Sequence, residues 1–546
     1  MDCGGSLETE IEDGLTRLYR LVCIRKKLRR EFNPKDMSNS ENSKRIVKNT
    51  LALYFRQIIT MVVALFTSRI VLQTLGVTDY GINNVVGGVV AMFGFLSNTL
   101  MVITQRFISV ELGKGGDIVV LQKIFSTSMI LHIGACVIVF ILAETIGLWF
   151  LNNKLVIPAE RMVAANWVYQ FAVFGFLLSL LNAPLTALII SHEDMHIYGY
   201  MGIFDVVVRL LTVYLLVIIN ADKLIFLALF GFAVTCVVWL FYFIYCRRKY
   251  QEAKFSFVYD KSLLKELSGF GGYVFIASIF MVLNIYGINI MLNMFFGPAI
   301  NAARGLSASV NAALISFGNN FKQALSPQLL KSYTQNNPEY MWNLCERGTR
   351  MLYFLFFIFS VPLLLETDFI LKLWLSEVPE YTAIFTKLII IDVLIGGLFW
   401  ALGNINNATG NIKTYYSIGY ISSILVLLLS YFVCKAGYEP QYVFVVPLLM
   451  CPITMAAQSV IMKKQVNFSI RFFTRKALVP IFFVSALSFL PFYFANKLFL
   501  QSFLYSCSVI VTSMLWTGVV IMFIGLKNNE RIKIVAFVKR KIGVAV

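Results

Sequence analysis

Charge is what this sequence has least of: 14% of its 546 residues are Asp, Glu, Lys or Arg, against roughly a quarter in an ordinary soluble domain. That shortage excludes a soluble enzyme. Paired cysteines are missing too. The nine cysteines (Cys3, Cys23, Cys136, Cys236, Cys246, Cys345, Cys434, Cys451, Cys507) are dispersed, mostly inside apolar runs, with no C-x-x-C. They read as membrane-buried thiols rather than as a disulfide or zinc framework. Long polar stretches are also lacking, so no soluble catalytic domain is inserted. Acidic residues are outnumbered, 29 against 47 Lys and Arg, for a net charge of +18. Nucleic acid is not the reason, because the basic residues sit in short segments between apolar runs instead of on one solvated face.

Hydrophobic residues, by contrast, make up 58% of the chain, with 48 Phe and 25 Tyr. Segments of about 20 apolar residues are then the unit of reading. They fall near 48–75, 82–108, 123–151, 162–190, 197–219, 223–246, 270–296, 300–326, 350–375, 382–408, 413–434, 441–462, 477–499 and 503–526. The fold class is an all-α polytopic membrane protein of about 14 transmembrane helices. Lys and Arg concentrate in alternate connections, among them Arg247, Arg248, Lys249, Lys254, Lys463, Lys464, Arg471, Arg475 and Lys476. By the positive-inside rule these connections, and both termini, are cytoplasmic.

The first 36 residues carry two readings. Leu15, Leu18, Tyr19 and Val22 can line one face of an interfacial basic helix. Alternatively, Met37 is the start of translation and the stretch before it is not part of the native protein. No apolar core of a secretory signal is present.

Cations inside spans are costly and mark function by default. The set is Arg56, Arg69, Arg209 and Lys322, with Arg106 and Arg304 near span ends. On the first span Arg56, Thr60 and Thr67 share a face, from which Arg69 points away, so Arg56 is the candidate and Arg69 is read as snorkelling or paired. Asp205 and Arg209, at i and i+4, can neutralise each other. On the eighth span Asn301, Arg304, Ala308, Ala312, Asn319, Lys322, Gln323 and Ser326 form one polar, small-residue stripe. Packing by small and amide side chains is the competing explanation. Asn289 and Asn293 share a face of the seventh span. A cationic lumen of this kind suits an anion, phosphate above all. Candidate carboxylates for coupling to a proton or sodium gradient are Glu144, Asp205 and Asp392.

Two patterns need weighing. A shift of 218 residues lays Ile82, Asn83, Gly87 and Gln105 over Ile300, Asn301, Gly305 and Gln323, a faint sign of duplicated bundles. His192-Glu193-Asp194-Met195-His196 matches the zinc-protease pattern H-E-x-x-H. It makes up most of a turn with no third ligand following, so no metal site and no cofactor is assigned.

Leu75-Gly76-Val77-Thr78-Asp79-Tyr80-Gly81 resembles the L-G-x-x-x-Y-G turn of polysaccharide repeat-unit flippases in the multidrug/oligosaccharidyl-lipid/polysaccharide exporter superfamily. Gln105-Arg106-Phe107, Phe296-Gly297-Pro298 with Asn301-Ala302-Ala303-Arg304-Gly305, and Ser326-Pro327-Gln328 resemble the same family, closest to Bacteroides-type lipopolysaccharide or capsule members. The resemblance implies two pseudo-symmetric six-helix, MATE-like lobes at 45–250 and 260–465, two further spans at 470–530, and basic ends at 1–44 and 531–546. It implies a transporter, not an enzyme, in the bacterial inner membrane. Its substrate would be an undecaprenyl-pyrophosphate-linked oligosaccharide, its partners polysaccharide polymerisation and export proteins. A cation-coupled multidrug exporter of the same fold is the alternative.

Overall fold

The computed structural model describes residues 34–115, 117–192, 194–254, 283, 286–334, 338–375, 377–409, 413–498 and 502–532. The proposed N-terminal basic helix, most of the seventh span with Gly271 and Gly272, and the tail from residue 533 lie outside the described residues. The chain divides into two units, Met1–Ile58 and Ile59–Val546. In the first, residues 34–58 are helical. Everything below concerns the second.

Among the described residues there is no strand. Helix α1 (Ile59–Ala91) is followed by α2 (Gly94–Lys114), α3 (Ile118–Asn153), α4 (Met162–Ser191), α5 (Met195–Ile218) and α6 (Lys223–Lys249). The second half holds α7 (Tyr286–Phe296), α8 (Pro298–Thr334), α9 (Pro338–Leu365), a short α10 (Thr367–Trp374), α11 (Thr382–Gly397) and α12 (Trp400–Thr409). Helices α13 (Lys413–Lys435), α14 (Tyr442–Val466), α15 (Ile470–Leu498) and α16 (Phe503–Gly525) complete it. Ten described helices are long and apolar enough to cross a membrane, and α11 with α12, bent by 42°, makes an eleventh.

Between the two apolar runs near 48–75 and 82–108 the chain does not leave the helix; one helical stretch continues through a break at Gly76, where φ is +76° and ψ 172°. A left-handed φ is open to glycine without steric cost. The ninth span differs from its expected bounds, 350–375. Its helix begins at Pro338 and stops at Leu365, because the charged first turns of α9 are paired within the protein and Glu366 (φ −115°, ψ 33°) leaves the helix.

Apolar packing segregates by half. One core gathers Ile82, Val85, Leu151, Ala165 and Tyr169, and another Ile108, Phe125, Leu188 and Tyr242, all from α1 to α6. Two further cores, around Phe356, Phe357 and Ile390 and around Leu329, Ala401 and Phe473, come from α8 onward. Another cluster bridges the halves, with Val71, Leu72, Tyr80 and Val213 against Ala302, Leu306, Leu371 and Leu375. Helices α15 and α16 are fixed to α9 at both ends. At one end Arg350, 3% exposed, meets Glu346 at 3.1 Å and Glu530 at 3.0 Å, while Lys527 reaches Glu346 at 2.8 Å. At the other, Asn496 donates to Glu366 at 2.7 Å and accepts from Tyr505 at 2.9 Å.

Candidate functional site

The two halves meet tightly at the end of the molecule that carries the Gly76 break. Asn289 donates to Oδ1 of Asn84 at 3.5 Å, and Asn301 donates to the carbonyl and side-chain oxygens of Asn289 at 2.8 and 2.9 Å. Asn293 accepts from the Val156 N–H at 2.8 Å and donates to its carbonyl at 3.4 Å. Glycine makes this seam close: a β-carbon on Gly81 would lie 1.9 Å from the Pro298 carbonyl oxygen. Beside the seam Trp374 donates to the Leu65 carbonyl at 2.8 Å and Arg69 to the Leu373 carbonyl at 3.5 Å. At the same end Arg161, in the connection between α3 and α4, ties α1 to the connection between α5 and α6. It donates to both oxygens of Asp79 at 2.9 and 2.6 Å and to both of Asp222 at 2.8 and 3.0 Å.

Two cavities flank α1. One, of about 550 Å³, lies within the first half, between α1, α4, α5 and α6. Ala64, Thr67, Ser68 and Val71 of α1 line it, spaced i, i+3, i+4, i+7, together with Asn83, Phe171, Arg209 and Phe232. The other, of about 450 Å³, is almost wholly apolar and lies between the opposite face of α1 and α8, α9 and α10. Met61, Val62, Leu65 and Phe66 face Val310, Phe317, Phe359 and Leu363 across it, and Arg69 lies at its lining. A helix that turns one face to a cavity bearing polar side chains and the other to an almost wholly apolar one divides two environments within about 10 Å, its own diameter.

The candidate residues distribute as follows. Arg209 Nε lies 3.0 and 3.1 Å from the two oxygens of Asp205, and its Nη2 donates to Thr235 at 3.2 Å. The cavity's cation is thus neutralised from its own helix. Thr60 is half-buried on α1, a turn before the cavity-lining residues. Arg304 is half-buried on α8 with its guanidinium 5.6 Å from the centre of the Phe444 ring. Lys322, also half-buried, lies 5.8 Å from the Phe356 ring centre, and Asn319 is exposed on the same helix, as are Ala308 and Ala312. Asn289 and Asn293 are spent on the seam. Arg56 and Gln323 have side chains outside the described residues. The structure therefore brings Asp205 to Arg209 and Asn289 to Asn301, and holds Arg209, Arg304 and Lys322 on separate helix packings.

Of the carboxylates, Glu144 sits in a π-helical turn of α3, Ala143–Gly147, where Gln170 donates to one oxygen at 3.2 Å. Tyr169 donates to the Ala143 carbonyl at 2.8 Å in the same turn. Asp392 is half-buried on α11. The H-E-x-x-H stretch is split by a helix break: His192 follows α4 and His196 belongs to α5. His192 Nε2 meets Glu252 at 2.6 Å and its ring stacks on Tyr250 at 4.5 Å, while Asp194 takes Lys249 at 2.6 Å. Glu193 lies outside the described residues. Among the described residues no three His, Cys, Asp or Glu side chains converge as a metal site.

No protein-family model matches the chain, and no curated protein matches it by sequence. Solved structures do. A lipid II flippase, MurJ, in an inward closed conformation, aligns with 86% of this chain and 98% of its own at 13% identity, with a TM-score of 0.65. The MATE multidrug transporter DinF-BH aligns over 77% of this chain and 96% of its own at 15% identity and a TM-score of 0.54. An inward-facing MATE transporter of the MOP superfamily covers 76% of this chain and 96% of its own at 11% identity, TM-score 0.54. At such identities the likeness is one of architecture: the chain has the fold shared by these lipid II flippase and MATE structures.

Proposed function

We propose that the protein is a flippase of the multidrug/oligosaccharidyl-lipid/polysaccharide superfamily that carries an undecaprenyl-pyrophosphate-linked oligosaccharide across the bacterial inner membrane. The observation that carries the reading is the division made by α1, with a cavity bearing a polar strip of Thr67, Ser68, Asn83 and Arg209 on one face and an almost wholly apolar slot on the other. An amphiphile needs that pair of environments. A hydrocarbon tail in the slot is spared the roughly 25 cal/mol per Å² that exposure to water would cost it, whereas its headgroup would lose hydration there. A small amphipathic cation would need a carboxylate in the wall of that cavity; no Asp or Glu is among its lining residues, and the neighbouring Asp205 already holds Arg209. The fold common to a lipid II flippase and multidrug transporters supports movement of a substrate between leaflets.

In this reading the end bearing Arg247, Arg248, Arg471 and Arg475 is cytoplasmic, as are both termini. The Asn and Gly seam is the periplasmic gate, closed. Lys322 and Arg304, 18 residues and so about 27 Å apart along α8, are cations that the pyrophosphate meets in turn, Lys as a point charge and Arg by a fork. Transport follows when the lobes rock and the seam opens. Glu144 and Asp392 are the carboxylates left for coupling to a proton or sodium gradient. Polymerisation and export proteins would receive the cargo.

The test is reconstitution into proteoliposomes loaded on one leaflet with undecaprenyl-pyrophosphate oligosaccharide, with appearance on the other leaflet followed by an impermeant glycosidase. Protein-dependent transfer is the expected result. No transfer, together with gradient-driven efflux of a cationic dye, overturns it in favour of the exporter.

A further inference from the structure

The 550 Å³ cavity between α1, α4, α5 and α6 has a cation in its wall and yet is not an anion site. Arg209 gives Nε to both oxygens of Asp205 and Nη2 to Thr235, at 3.0 to 3.2 Å. The net charge of the pair is zero, and an incoming phosphate would have to displace a carboxylate tethered one helical turn away. Arg209 nevertheless lines the cavity, and its side chain is 42% exposed. Nη1 keeps its donors, and the Thr67 and Ser68 hydroxyls and the Asn83 side-chain oxygen in the same wall can accept. A charge-neutral surface offering donors and acceptors together matches vicinal hydroxyl groups.

The rest of the wall agrees. The Thr67 hydroxyl and the Asn83 amide have no hydrogen-bond partner among the described residues, so both remain available. Phe171 and Phe232 stack at 6.0 Å with an interplanar angle of 29° and present ring surface to the same space. Ring faces accept the C–H side of a pyranose while the polar groups take its hydroxyls. We infer that this cavity is a neutral-saccharide subsite, which receives the sugars of the cargo while the pyrophosphate is held elsewhere, at Lys322 of α8. The inference rests on the flippase reading and divides the headgroup between the two halves of the protein.

The experiment measures protection of two engineered cysteines in detergent-purified full-length protein. Thr67→Cys reports the cavity and Asn319→Cys reports the α8 face near Lys322. N-ethylmaleimide modification is read peptide by peptide, so native thiols do not interfere. The probes are sugar-free undecaprenyl pyrophosphate and the undecaprenyl-pyrophosphate oligosaccharide extracted from host membranes. At ten times the dissociation constant, occupancy slows modification about tenfold.

Protection of position 319 by both probes and of position 67 by the oligosaccharide alone is the expected pattern. Protection of position 67 by both probes makes the cavity an anion site and overturns the inference. Protection of position 319 alone, by both probes, overturns the subsite and leaves the flippase reading standing. Protection at neither position fails that reading itself. Asp205→Asn in the Thr67→Cys background frees Arg209, and sugar-free pyrophosphate is then expected to protect position 67. If it does not, the carboxylate is not what keeps anions out, and the inference fails with it. The pair Asp205→Leu with Arg209→Met removes both charges and must weaken protection by the oligosaccharide, because it removes the hydroxyl partners.

Discussion

A β-carbon on Gly305 would stand 2.2 Å from Nδ2 of Asn84, so α8 can approach the second segment of α1 only because residue 305 has no side chain. The same amide group accepts from Asn289 through its oxygen, and the two contacts lie in one seam between the halves. Gly305→Val is expected to pry that seam open at a cost of about 1–3 kcal/mol, the usual penalty of overpacking. Spin labels on Thr78 and Glu377, both exposed and on opposite sides of the seam, should report a longer and broader distance in the variant. An unchanged distance would mean that the seam does not hold the halves together.

The ion cluster under α9 makes a separate prediction. Glu346, Arg350 and Glu530 are 1 to 3% exposed, and Arg350 also donates to the Gly525 carbonyl at 2.6 Å. Arg350→Ala removes the buried cation that the two carboxylates share, leaving Glu346 to Lys527 and Glu530 to Arg347, and should cost up to about 3–5 kcal/mol, the loss on breaking a buried pair. Thermal unfolding in detergent should show the loss, with α15 and α16 detaching first as read by hydrogen exchange. Replacing Arg350, Glu346 and Glu530 together with apolar residues of similar volume should restore most of the stability, since no buried charge is then left unpaired and the half-exposed Arg347 and Lys527 can turn to solvent.

How far the sequence carried the fold depends on the kind of signal. Apolar runs set the helices, since each must fill a hydrocarbon layer, and the left-handed turn at Gly76 falls in the Leu75–Gly81 motif. The pairing of Asp205 with Arg209 was legible because both lie on one helix face. Arg161 with Asp79 and Asp222 was not, because those partners are 82 and 61 residues away and no periodicity links them. The start of α9 was hidden for a related reason. Glu339, Glu346, Arg347 and Arg350 lower the hydropathy of its first turns, and only the distant Lys527 and Glu530 make those turns fit to be buried. The two-faced role of α1 was equally hidden, since which face is polar depends on what α5 and α8 bring to it.

Acid should weaken the protein first through ion pairs that lie beyond the ends of its spans. Burial pushes the Asp222 carboxyl up, but the hydrogen bond and charge of Arg161 prevail and hold it below the usual carboxylate range. Glu530 behaves alike: burial raises it, while the Lys527 N–H, Arg350 and Arg347 bring it down. A depressed folded-state value gives stability that is complete above the unfolded value of about 4 and is lost as pH falls through the folded one. Melting temperature should therefore be insensitive to these groups from about pH 8 to about pH 5 and fall below about pH 4. Asp222→Asn keeps the cap on the Leu224 N–H and should lower stability at neutral pH while flattening the acid limb. A limb as steep as in the parent protein would assign acid sensitivity to other groups.

Lys322 is the cation on which the proposed pyrophosphate site most depends. It lies on the α8 face that also carries exposed Asn319, it rests near the Phe356 ring at 5.8 Å, and no carboxylate pairs with it among the described residues. A charge-assisted hydrogen bond to phosphate is worth about 1.5–3 kcal/mol, so Lys322→Ala should raise the half-saturating substrate concentration about 10- to 100-fold in the proteoliposome assay. Lys322→Arg keeps the charge and should stay within a few-fold, because a phosphate accepts either a point charge or a fork. Lys322→Met keeps the aliphatic length and the contact with Phe356 but not the charge. If the Met variant transports as well as the parent, Lys322 serves packing alone, and the pyrophosphate must be held by Arg304 without it.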